Sequence, residues 1–80
     1  MQKKIYIGNL SFATTEERLT ETFSKIGNIE SAVIIKDRET GNSKGFGFVD
    51  FAEESDAAKA VAILNGKELD GRKIRVSYAK

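Results

Sequence analysis

The sequence predicts an α+β sandwich in the order βαββαβ: a four-stranded antiparallel sheet with two helices on one face. Three observations predict it. Four short segments, IYIGNL (5–10), SAVIIKD (31–37), KGFGFVDF (44–51) and RKIRVSY (72–78), are rich in β-branched residues or alternate with the period of two that a half-buried strand requires. Two longer segments between them carry apolar residues at helical spacing and end on glycine. Finally, 80 residues suffice for one domain with one core and are too few for two, so residues 1–80 are expected to form a single unit.

Taken in order, Ile5 and Ile7 share one face of the first strand and Tyr6 takes the other. Thr14 and Thr15 both offer helix N-caps, the first with Glu17 placed for a capping box, and Leu19, Phe23 and Ile26 follow on one stripe until Gly27 stops the helix. SAVIIKD is then a strand, DRETGNSK (37–44) has the Asp, Gly, Asn and Ser of a mobile hairpin loop, and KGFGFVDF is the antiparallel return. EESDAAKAVAILNG (53–66) begins with acids suited to a helix N-terminus, sets Ala57, Val61 and Leu64 on one stripe and ends on Asn-Gly. Leu69-Asp70-Gly71 turns the chain into the last strand, where Ile74 and Val76 point the same way. Two right-handed strand–helix–strand units joined in this way place both helices on one face of the sheet. The other face is left bare.

Composition narrows the chemistry. With no cysteine and no histidine, disulfides, thiol nucleophiles, imidazole bases and the usual zinc ligands are all excluded, and no cofactor is expected. The net charge is +1 and the pI about 8.0, short of the pI above ~9 that marks a strongly basic nucleic-acid domain. The charge is segregated, however: half of the acids fall in the stretches 16–21 and 53–56, while lysines and arginines recur near strand ends and turns. No segment has the ~20 apolar residues of a membrane span, and MQKKIYIGNL lacks an apolar run of signal-peptide length. The expectation is a soluble intracellular protein, cytoplasmic or, in a eukaryote, nuclear.

KGFGFVDF holds three of the five phenylalanines on one strand. Alternation splits them. Phe46 and Phe48 share a side with Lys44 and Asp50, and burying both of those charges under helices would cost several kcal/mol without partners. Phe46 and Phe48 are therefore expected on the bare face, and Val49 and Phe51 in the core. Gly45 and Gly47 fall on the core-facing side, where their lack of a side chain is expected to admit a helix. Tyr6, with Lys4, joins the bare face from the first strand, and three adjoining rings make an apolar patch of the kind that marks a binding site. A flat sheet with aromatic faces and bordering cations suits single-stranded nucleic acid, in which bases can stack on rings and phosphates meet lysines and arginines.

These residues resemble the RNA recognition motif family. KGFGFVDF fits every position of that family's octapeptide, and IYIGNL looks like its companion hexapeptide; the likeness runs on through DRETG, Asn65-Gly66 and GRKIRV. The nearest likeness is to small single-motif proteins of the glycine-rich or bacterial type. The resemblance implies a ferredoxin-like fold and binding of single-stranded RNA, with single-stranded DNA a further candidate. It implies base or sugar contacts for Tyr6, Phe46 and Phe48, a phosphate contact for Lys44, a core place for Phe51, and contacts at the end of the last strand from Arg75, Ser77, Ala79 and Lys80. Ser77 and Ala79 would offer backbone groups or a small hydroxyl. Lys4 either borders the same surface as a nucleic-acid contact or is a plain solvated charge, and Asp50 either accepts a base amino group or is a solvated edge charge.

If Ala32 and Ile34 face the core, Val33 and Ile35 extend the bare face; a one-residue slip or a bulge would bury them instead. Lys3, Lys36, Arg38 and Lys73 are either nucleic-acid borders or plain solvated charges, Tyr78 either stacks or packs at a sheet edge, and Asn9 is expected to fix the turn after the first strand. An enzyme on the same plan has little support, because GFGFVD lacks the third glycine and the Lys-Ser/Thr of phosphate-cradling loops, and the paired acids sit where helix starts explain them. A protein-binding module and an idealised domain on this scaffold are the other rivals. The expected behaviour is that of a monomer binding about two to four nucleotides in the micromolar range or weaker.

Overall fold

The computed structural model describes residues 2–79. Along the chain run β1 (Lys4–Gly8), α1 (Glu16–Ser24), β2 (Ile29–Lys36), β3 (Ser43–Phe51), α2 (Glu54–Leu64), β4 (Glu68–Leu69), β5 (Arg72–Lys73) and β6 (Arg75–Tyr78). β2, β3, β1 and β6 lie side by side in that order as one antiparallel sheet, and β4 and β5 form a separate two-stranded ribbon. The expected α+β sandwich is therefore present, with its last strand divided. Ile74, 1% exposed, separates β5 from β6 and exchanges main-chain hydrogen bonds with the segment after α2, Gly66 N to Ile74 O at 2.8 Å and Ile74 N to Lys67 O at 2.9 Å. Asp70 and Gly71, with φ of 51° and 85°, turn β4 into β5, the backbone that an Asp-Gly pair favours in a two-residue hairpin.

The core lies between sheet and helices. Ile5, Ile7, Val49 and Phe51 from the central strands are fully buried with Leu19 and Phe23 of α1 and Ala57 and Ala60 of α2. The two alanines let α2 lie close, and Val61 and Leu64 pack at its margin. α1 is capped by Thr15, whose side chain accepts from Arg18 N at 3.1 Å. Thr14, the other offered cap, is 4% exposed and donates its hydroxyl to Asp70 Oδ2 at 2.8 Å instead, so the box with Glu17 does not form. The helix ends at Ser24, ahead of Gly27. Glu16, in its first turn, accepts from Ile34 N at 2.9 Å, which occupies a main-chain donor on the edge strand β2.

The glycines of β3 differ from expectation in what approaches them. A Cβ on Gly47 would run into the Val33 carbonyl, so the neighbouring strand, not a helix, takes the space. Gly45 has φ 84° and lies against the Phe12 ring. The loop after β2 is tied by Asp37, whose Oδ1 accepts from Glu39 N and Thr40 N at 2.8 and 3.1 Å.

Candidate nucleic-acid interface

Register places one row of residues straight across the face opposite the helices. Val33 of β2 stands opposite Phe48 of β3, Phe48 opposite Tyr6 of β1, and Tyr6 opposite Ser77 of β6. Directly paired residues share a face of an antiparallel sheet, so all four strands contribute to one surface. The parity argument for Tyr6, Phe46 and Phe48 holds, because Ile5, Ile7, Val49 and Phe51 fill the other side completely.

The three rings form a nearly equilateral cluster. Centroids are 6.0 Å apart for Tyr6 and Phe46, 5.9 Å for Tyr6 and Phe48, and 6.3 Å for Phe46 and Phe48, with interplanar angles of 36°, 64° and 88°. Tilted and edge-to-face pairs set the positive edge of one ring against the negative face of the next. Each ring is half-buried and packs against the other two. Gly8, whose role no sequence pattern signals, makes this possible. The Tyr6 ring lies back over it, and a Cβ there would come within 2.5 Å of the Tyr6 hydroxyl and 2.8 Å of a ring carbon.

Charged groups border the cluster. Lys4 Nζ stands 5.4 Å from the Phe48 centroid, within cation–π range. Lys44 is exposed and lines a groove with Tyr6 and Phe46. Arg75 is exposed opposite Gly8. Asp50, opposite Lys4, accepts from the Ser31 hydroxyl at 3.0 Å, so it is a hydrogen-bonded member of the face. Ser77 is exposed beside Tyr6, and a shallow concavity joins Tyr6, Phe48, Ser77 and Ala79. Ala79 is only 6% exposed and its N–H donates to Lys4 O at 3.1 Å. Lys80 lies outside the described residues.

Val33 is 44% exposed on the open face, while Ile34 beside it is 4% exposed on the core side. The strand is irregular on both flanks, between Ile29 and Ser31 and between Ile34 and Lys36, but the central register keeps Val33 outward. Ile35 is only partly exposed. Tyr78 stands opposite Ile5 and shares its helix-side parity, at the edge strand, with 41% exposure. Lys3, Lys36, Arg38 and Lys73 are exposed. Asn9 does fix the end of β1: with φ 57° it donates from Nδ2 to Lys73 O at 2.7 Å and accepts at its Oδ1 and main-chain oxygen from Arg72.

A second set of long-range polar contacts holds the β4–β5 hairpin against α1. Asp70 receives Thr14 on one oxygen and Arg18 Nε, at 3.1 Å, on the other, and Arg18 also reaches Glu21. The Thr14 hydroxyl first, and then the guanidinium, hold the Asp70 carboxyl below its ordinary value of 3.8. Hydrogen bonding and charge from Asp70 correspondingly raise the pKa of Arg18. Arg72 and Asn9 depend on this hairpin, and residues separated by more than 50 positions carry no local pattern that would have announced it. No group of three or more potential metal ligands occurs among the described residues.

Comparison with known proteins agrees with this geometry. The chain is 52% identical over 79 residues to "Glycine-rich RNA-binding protein 1" of Mycosarcoma maydis, covering 99% of this chain and 45% of that one. It is 53% identical over 77 residues to "Small RNA-binding protein 11, chloroplastic" of Arabidopsis thaliana, covering 96% and 53%. The chain thus spans about half the length of these curated relatives. A solved Sxl-lethal protein/RNA complex superposes with a TM-score of 0.95 at 34% identity, over all of this chain and 48% of that one. The family model for the RNA recognition motif matches residues 5–75. With that match covering most of its length, and the aromatic cluster standing where the motif's octapeptide and hexapeptide pair, the chain belongs to the RNA recognition motif family.

Proposed function

We infer that this chain binds single-stranded RNA on the open face of its sheet, bases and sugars resting on Tyr6, Phe46 and Phe48 and phosphates meeting Lys44, Lys4 and Arg75. The observation that carries this reading is the preassembled ring cluster, three centroids within 6.3 Å of one another, bordered by cations. Stacking contributes roughly 1–3 kcal/mol per base and needs no particular base. Because the rings already pack on each other, little side-chain freedom is lost on binding, which reduces one of the usual costs of association. Ser77 and Ala79 contribute at the β6 end, Lys80 adds a cation, and Asp50, which accepts from the Ser31 hydroxyl, takes a base amino group. The sheet face cannot enter the narrow major groove of an A-form duplex, which directs the reading to single strands.

The names of two relatives as RNA-binding proteins and the RNA complex of a third support the ligand class. We further propose that residues 1–80 act as one monomeric unit, that single-stranded DNA competes because stacking does not require the 2′-hydroxyl, and that the setting is cytoplasmic. A titration with short single-stranded RNA, followed by chemical shifts, tests the main reading. Ring resonances of Tyr6, Phe46 and Phe48 should move together and saturate. Silence from all three at near-millimolar RNA would overturn it.

A further inference from the structure

The sequence has four asparagines, at 9, 28, 42 and 65, and only Asn65 precedes a glycine. Asparagine is a thermolabile residue, and an Asn-Gly pair is its most vulnerable setting, because no side chain on the second residue crowds the amide nitrogen. Once that nitrogen gives up its proton it can attack the asparagine Cγ. An N–Cγ bond forms, the Cγ–Nδ2 bond breaks and the nitrogen that leaves takes up the proton to depart as ammonia, closing a five-membered succinimide. Water then opens the ring at one carbonyl or the other, giving aspartate or isoaspartate, the latter with its Cβ in the main chain.

Steric cover does not protect this pair. Both residues are exposed, and the side of Gly66 on which a Cβ would stand is open, with no atom beyond its chain neighbours within 4 Å. What the fold supplies instead is a fixed geometry. Asn65 follows the end of α2 with φ −64° and ψ 123°, Gly66 has φ 86°, and Lys67 N donates to Leu64 O at 3.1 Å, which together make a type II turn. Ring closure needs ψ of Asn65 on the negative side, as at the first central residue of the mirror-image type II′ turn. Two contacts oppose that rotation. Gly66 N–H donates to Ile74 O at 2.8 Å, so the attacking nitrogen must break this bond before it can lose its proton, and Val76 N donates to Asn65 Oδ1 at 2.9 Å, which turns the side-chain amide toward β6. Nucleophile and electrophile are thus each tied to the 74–76 segment, by different residues of it.

We propose that Asn65 is the deamidation site of this chain and that the native turn blocks the reaction, so that conversion passes through molecules in which residues 64–67 have come away from 74–76. The isoaspartyl product carries an extra main-chain atom through the turn and moves the oxygen that Val76 N uses. Val76 is 2% exposed, and a main-chain donor left without a partner at such a place is destabilising. A chain that has opened once is therefore marked at the contact that holds β6 to the end of α2, and it opens more readily afterwards.

The test incubates the full chain in dilute buffer and in concentrated urea at one pH and temperature, quantifies aspartate and isoaspartate at all four asparagines by peptide mapping, and measures hydrogen exchange of the Gly66 amide in the folded sample. In urea Asn65 should convert fastest of the four. In buffer it should convert at least about tenfold more slowly, equivalent to an opening of ~1.4 kcal/mol, and the slowing should follow the exchange protection of the Gly66 amide, since both report the open fraction. The isoaspartyl chain, refolded from urea, should unfold at a lower urea concentration than the parent. Equal rates in buffer and urea would overturn the block, as would slow conversion beside an unprotected Gly66 amide. A faster asparagine elsewhere in urea would overturn the site, and parent-like unfolding of the isoaspartyl chain would overturn the loosening of β6.

Discussion

On β3, Val49 and Phe51 are fully buried against the helices, whereas Phe46 and Phe48, on the other side of the same strand, are covered only in part, by Tyr6, by each other and by Lys4. Residue type and strand are the same; surroundings differ. Phe51 loses its contacts only if the fold opens. Phe46 and Phe48 spend part of their surface on a tilted aromatic cluster and leave the remainder exposed. The contrast teaches that a phenylalanine's contribution to stability and its contribution to binding are set by which side of the strand it takes, and can be separated by mutation.

The largest effect that would sharpen the comparison is expected from Phe51→Ala. Removing a fully buried ring should cost about 3–5 kcal/mol of stability, read as a lower midpoint in urea. Phe46→Ala and Phe48→Ala should each weaken RNA binding by about 1–3 kcal/mol while costing about 0.5–1.5 kcal/mol of stability for each lost aromatic pair. Equal stability losses in all three variants would break the comparison outright. Gly8→Ala comes next: the new methyl must push Tyr6 off its resting place, so binding should weaken by no more than the ~1–3 kcal/mol of a single stacked base, with displaced Tyr6 ring resonances as the signature. RNA affinity unchanged in Gly8→Ala would show that Tyr6 does not need its position.

The smallest effect lies away from both faces, at Asp70. Its folded carboxyl titrates below the ordinary 3.8 because Thr14 and Arg18 hydrogen-bond to the ionised form. The unfolded state therefore takes up the proton first as pH falls. The stabilisation is complete above the ordinary value and is lost as pH drops through the lower folded one. Asp70→Asn should flatten that part of the acid-denaturation profile and leave neutral-pH RNA binding nearly unchanged. An unchanged acid profile would mean that the Thr14–Asp70–Arg18 contacts do not contribute.

Much of this was legible in the sequence for a physical reason: a strand's period of two is short and strict. KGFGFVDF alone was enough to separate Phe51 from Phe46 and Phe48, whereas SAVIIKD left Val33 open until the pairing with β3 set it outward. What escaped depends on partners far away in the chain. Whether Thr14 or Thr15 caps α1 is decided by Asp70, which only the folded chain brings near. The two-residue strands β4 and β5 are too short to show a period. Gly47 signals a close approach without saying by what, and the neighbour is a strand where the pattern suggests a helix. Gly8 reads as an ordinary strand end until the Tyr6 ring is seen lying on it.

The placement of charge bears on how an RNA would meet this surface. The acids at 16–21 and 53–56 ride with the helix layer, while Lys4, Lys44 and Arg75 border the opposite face. The molecule measures 36 × 23 × 21 Å, and electrostatic influence decays over about 8 Å at physiological ionic strength. An approaching phosphate chain therefore responds to these cations and to Asp50 opposite Lys4, with the carboxylates of the helix layer screened from view. A net charge of +1 understates the local field, and collisions that present the sheet are favoured over those that present the helices. The consequence is kinetic: the protein meets its ligand with its orientation already biased, a bias that extra salt would erase before it erased the stacking.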